Sequence, residues 1–131
     1  MSEIKVDTLT GKTTAGDITV TSEGGTANMQ LQQGLVKCWV HYDHDTPAVK
    51  DSLNAASVTD VDTGMFDPQY TNSMNSSNYS VLRMGQAEIT NADCTQYAYN
   101  KATGSVRCYN SENDSAIDLG NTDAAVLGDL A

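Results

Sequence analysis

Positive charge is scarce in this sequence: seven Lys and Arg stand against seventeen Asp and Glu, a formal net charge of −10. A nucleic-acid surface works by presenting clustered cations that displace counterions, so this balance argues against nucleic acid as a partner. Large apolar side chains are also few, with one Trp and one Phe, and no segment approaches the ~20 apolar residues of a membrane-spanning helix. The N-terminal MSEIKVDTLTGK lacks the apolar stretch of a secretory signal and reads as an unexported start. The three cysteines, Cys38, Cys94 and Cys108, are odd in number and contain no C-x-x-C pair, which speaks against a disulfide framework or a zinc knuckle. Asn-x-Ser triplets begin at Asn75, Asn78 and Asn113, as chance allows in a chain so rich in Asn and Ser. No stretch carries apolar residues at helical spacing over three turns.

What is present is Ser, Thr and Asn, 36 residues of 131, a composition suited to short strands and turns. From residue 35 onward, strand-like segments recur: 35–42, 52–58, 65–71, 78–90, 95–100, 105–110, 115–119 and 124–130. The expected fold is all-β, an antiparallel β-sandwich of about 7–8 short strands over residues 35–131. A short helical turn is expected within 47–54, an edge position for Pro68, a bulge near Gly85 where the apolar parity of 78–90 shifts, and a left-handed turn residue at Gly104. Residues 1–34 read differently. IKVDTL and DITVTS alternate with a period of two, but their apolar residues Ile4, Val6, Leu9, Ile18 and Val20 are too few to bury a face of their own. That segment is expected to be an extended β attachment or oligomerisation element.

Four stretches invite a chemical reading. WVHYDHD places His41, Asp43, His44 and Asp45 close together, and a divalent metal wants three or four such ligands converging. On a continuing strand His41, Asp43 and Asp45 share a face at roughly 7 Å intervals while His44 points away, so a strand end running into a polar turn is preferred and His41 and His44 remain weak metal candidates. TGKTT at 10–14 contains Gly-Lys-Thr, but Val6 stands where a phosphate-binding loop needs its first glycine, so a connecting turn is expected. DVDTG at 60–64 lacks the further ligands of a calcium loop. Its Asp62-Thr63-Gly64 matches the D-T-G of aspartic proteases, with Val126-Leu127-Gly128 as the companion apolar segment, and a homodimer could pair two Asp62 carboxylates. A hairpin turn is the preferred reading, because Asp60 interrupts the apolar strand such a site needs. Finally, Tyr97 and Tyr99 share parity and could stack a sugar ring, although core or interface packing is the commoner use of such pairs.

Taken in order, IKVDTLTGKTTAGDITVTSEGG, LQQGLVKCWVHYD, VKDSLNAASVTDVDTG, NYSVL and AVLGDL resemble a module of tail-fibre-like and other virion proteins of marine bacteriophages. The match runs from Gly34 to Tyr42, from Lys50 to Ser57 and through Asn78-Tyr79, and the ordered set covers most of the chain. In that family the position of His41 is usually Asn, and the DVDTG turn is variable, so neither is expected to be catalytic. Phage fibres that hold iron on a three-fold axis use His-x-His, a spacing that His41 and His44 lack.

The resemblance implies a non-enzymatic virion structural protein without cofactor, assembled in the host cytoplasm as a homotrimer. Residues 1–34 would engage other virion proteins, and the sandwich would contact a host surface glycan or receptor, as in a short tail fibre. Decoration of the capsid as a head fibre or cement protein is the alternative within this class. A dimeric retropepsin-like protease using Asp62 is the alternative from another class, and copies of His41 or His44 meeting around a three-fold axis are what remains of a metal site.

Overall fold

The computed structural model describes residues 3–85 and 94–131. Two compact units divide the chain, Met1–Leu35 and Val36–Ala131.

In the first unit, β1 (Thr19–Thr21) pairs antiparallel with β2 (Asn28–Gln30). Gly25, at φ 71°, turns the hairpin, and its amide donates to the Ser22 carbonyl at 2.8 Å. The IKVDTL stretch, expected as a strand, takes no ladder partner and runs as irregular chain. Its side chains stay in water, with Ile4 84% exposed. TGKTT forms a turn in which the Gly11 amide donates to the Ala15 carbonyl at 2.9 Å, as a connecting segment should. A single 3-10 turn, Gln32–Gly34, ends the unit.

The second unit is an antiparallel β-sandwich. One sheet runs β4 (Ala48–Leu53), β3 (Val36–Asp43), β11 (Thr122–Leu127), β7 (Ser80–Gly85). The other runs β5 (Ala55–Asp62), β6 (Met65–Tyr70), β9 (Arg107–Glu112), with β10 (Ser115–Ala116) and β8 (Cys94–Tyr99) also pairing with β9. The described residues of this unit therefore hold nine strands, against the 7–8 expected, because 52–58 divides between β4 and β5, while 115–119 yields only the two-residue β10. Alternation does the rest: Cys38, Val40 and Tyr42 from β3 and Ala124 and Val126 from β11 meet Phe66, Tyr70 and Cys108 from the facing sheet. Phe66 is fully buried, and truncating such a ring to Ala typically costs about 3–5 kcal/mol. Tyr79 helps close one end, its hydroxyl accepting from Tyr70 and donating towards the carbonyls of Ala102 and Ser105.

Several local expectations are corrected. The segment 47–54 is strand β4 rather than a helical turn, because pairing with β3 satisfies its backbone, with a register shift at His41/Tyr42. The run 52–58 is not one strand: Asn54 adopts φ 58° and sends the chain from one sheet to the other. Its side chain secures that corner, donating to the carbonyls of Lys37 and Asn72 and accepting from the Asn72 amide. Pro68 lies in β6, an interior strand, at a point where the ladder to β9 is interrupted and its missing N–H costs no bond. Between β8 and β9 the left-handed residue is Asn100, at φ 46°, rather than Gly104. The ladder of β7 with β11 is regular from Ser80 to Gly85, so the parity shift at Leu82 and Met84 comes from apolar side chains facing outward, not from a bulge. Any bulge beyond Gly85 lies outside the described residues.

Candidate functional site

The two outward faces of the sandwich and the gap between its sheet edges carry the chemistry-bearing side chains. On the five-stranded sheet, β8 and β9 pair so that Tyr97 lies directly opposite Tyr109, and Tyr109 opposite Met65. The Tyr97 ring is 5.7 Å from that of Tyr99 and 4.8 Å from that of Tyr109. The expected pair is thus a three-ring platform. Sequence reading missed Tyr109, whose membership depends on the cross-strand register. Beside it Arg107 and Asp67 form a two-pronged ion pair at 2.8 and 2.7 Å, which holds the guanidinium pKa above its ordinary value. Tyr97 is 47% exposed.

On the four-stranded sheet the outward positions form a cross-strand row, Leu53, Trp39, Ala125 and Leu82, each opposite the next. Met84 extends it; Leu82 and Met84 are 61% and 71% exposed. The neighbouring row, which ends in Met84 opposite Asp123, is otherwise polar, with His41 Nδ1 2.7 Å from Asp123 Oδ1 and opposite Asp51.

His44 is the largest departure from the sequence reading. Expected in a polar loop, it is 2% exposed and packs between Tyr42 and Phe66, with ring centroids at 5.5 and 5.4 Å. Its Nε2 lies 3.1 Å from Asp60 Oδ1 and its Nδ1 3.3 Å from Asp118 Oδ1. The first contact has hydrogen-bond geometry and the second does not. His41 faces outward and His44 inward, so one chain does not bring them together. No group of three or more His, Cys, Asp or Glu placed to hold a metal occurs among the described residues.

The DVDTG segment turns the β5–β6 hairpin. Gly64 has φ 70°, its amide donates to Asp118 Oδ1 at 2.6 Å, and a Cβ there would sit 2.5 Å from the Asn110 carbonyl oxygen. Only glycine fits. Asp62 is exposed, and its Oδ1 accepts the Thr63 amide at 2.8 Å, while Val126 is buried in the core. Cys94 and Cys108 are both free, as is Cys38; Cys94 pairs with Glu112, and Cys108 with Ala98. Burial pushes the Cys38 and Cys108 thiols up to about 11.

Arg83 is the other residue that sequence reading passed over. Flanked by Leu82 and Met84, it points the opposite way, its guanidinium 4.8 Å from the Phe66 ring centroid. It donates to the Asp123 carbonyl, Asn110 Oδ1 and Thr122 Oγ1 at 2.7, 2.7 and 3.2 Å, all neutral acceptors. Burial therefore lowers its pKa. The available signal was parity: position 83 shares its face with Val81.

No helix among the described residues is long and apolar enough to cross a membrane. No protein-family model, curated protein or solved structure matches this chain.

Proposed function

We propose that this chain is a non-enzymatic virion structural module that assembles as a homotrimer and contacts the host surface through its β-sandwich. The observation that carries the reading is the outward row Leu53, Trp39, Ala125 and Leu82, extended by Met84. A contiguous apolar stripe on the solvent side of a sheet marks a surface for association. The exposed Ile4, Val6, Leu9 and Val20 supply a second apolar set in the N-terminal unit, suited to intertwining with copies of itself or docking on another virion protein. The ordered resemblance to phage virion modules, together with the all-β sandwich, adds the class. The net charge of −10 keeps such modules apart in solution where they do not interlock. Tail fibre and capsid decoration share these features, and labelled antibody on the intact particle separates them.

Sedimentation equilibrium of the full chain tests the assembly. A mass of three chains is the expected result. A monomer at high concentration refutes it, and a dimer whose proteolysis disappears in Asp62→Asn transfers the chain to the protease class.

A further inference from the structure

Between the open edges of the two sheets, β7 on one and β8 on the other, lies a groove of about 360 Å3 lined by Arg83, Gln96, Tyr97 and Lys101 over Val81 and Ala98. In a protein with seventeen acidic and seven basic residues, two of the basic ones line this groove, and among the described residues its lining contains no carboxylate. Neither cation forms an ion pair with a carboxylate among the described residues, although Arg83 feels the charge of Asp123. Lys101 donates one N–H to the Tyr79 carbonyl at 2.9 Å and keeps two. Arg83 is fixed by three neutral acceptors, its Nε without one, so its charge is rigidly held and makes no ion pair among the described residues. A buried cation without an anion is costly, and an anion arriving beside it recovers part of that cost. Tyr97, half exposed, joins the groove to the three-ring platform, and the Gln96 amide crowds Gly85 on the facing strand.

We infer that this groove binds a saccharide bearing a carboxylate, a uronic-acid type of pyranose, with the carboxylate on Lys101 in the field of Arg83 and the sugar ring against Tyr97. Two cations without an aromatic surface would fit any small anion. Tyr97 supplies an aromatic ring face against which a pyranose can lie, and Gln96 supplies a donor and an acceptor for its hydroxyls. The volume suits one or two rings, and the surrounding negative charge repels long polyanions such as nucleic acid. The inference stands on the groove and does not need the virion reading: a monomeric chain that binds the sugar loses the trimer and keeps the site.

Titration calorimetry with oligogalacturonate, a neutral galactan oligosaccharide of equal length and inorganic phosphate decides it. Oligogalacturonate is expected to bind saturably and more weakly at higher salt, with the neutral oligomer and phosphate at least about ten-fold weaker. Lys101→Gln and Tyr97→Ala, both at exposed side chains, are each expected to weaken oligogalacturonate by about ten-fold or more with the far-UV spectrum unchanged. Arg83→Gln is expected to abolish binding, and because that side chain is buried its result is read only if the variant folds. No saturable oligogalacturonate binding, equal binding of the neutral oligomer, phosphate binding as tight as the sugar, or indifference to either exposed variant overturns the proposal.

Discussion

His44 Nε2 sits 3.1 Å from Asp60 Oδ1, although His44 follows a strand of one sheet and Asp60 lies on a strand of the other. The contact ties the two layers at the end of the core where Tyr42 and Phe66 stack. His44→Ala removes a buried ring and leaves Asp60 and Asp118 without their common partner, so a loss of about 2–4 kcal/mol is expected. Urea unfolding followed by tryptophan fluorescence measures it. An unchanged midpoint would mean that the imidazole contributes nothing to holding the sheets together.

The corner at Asn54 separates backbone strain from side-chain bonding. Asn54→Gly keeps the left-handed conformation and loses the bonds to Lys37 and Asn72, whereas Asn54→Ala loses both. The alanine variant is expected to be less stable than the glycine variant by about 1 kcal/mol. Equal stabilities would show that the left-handed turn carries no cost at this position.

Acid sensitivity has a named source in Asp43. Lys50 Nζ at 2.6 Å, with the Thr46 amide, lowers its pKa from the ordinary carboxylate range to about 2. A depressed folded-state value stabilises the fold above the unfolded pKa of about 4, and that contribution disappears as pH falls towards 2. Lys50→Met is therefore expected to flatten the decline of stability across that window. Denaturation midpoints measured through it provide the check, and parallel curves for the two proteins would assign the acid loss to other carboxylates.

Thiol chemistry should sort the cysteines by position. Cys94 is exposed, whereas Cys38 and Cys108 are buried with their thiols raised to about 11. Iodoacetamide at about pH 8 is expected to label one site quickly, and the other two only on unfolding. Peptide mass mapping identifies the sites; rapid labelling of Cys108 would mean that the core opens readily.

Leu82 probes the outward apolar row. Leu82→Asp is expected to change unfolding free energy by no more than about 0.5 kcal/mol, as for an exposed position, while weakening self-association at least about ten-fold. Sedimentation of the two proteins side by side makes the comparison. Identical masses at every concentration would take the row out of the interface.

The sequence by itself determined the strand class and, within most strands, which residues share a face. The scarcity of helical spacing, the Ser, Thr and Asn content and the alternation in 35–42 follow from the pleat of an extended chain, a property of neighbouring residues. That is why Tyr97 and Tyr99 could be placed on one surface before any partner was known. Tertiary structure decided what each face meets. It set Tyr109 opposite Tyr97, turned Leu82 and Met84 to the outside, fixed Arg83 beside Phe66 and drew His44 inward between two aspartates. It also divided 52–58 at Asn54 between two sheets. These outcomes depend on register and on which sheet a strand joins, and both are fixed by pairings between segments far apart in the chain, to which local alternation is blind.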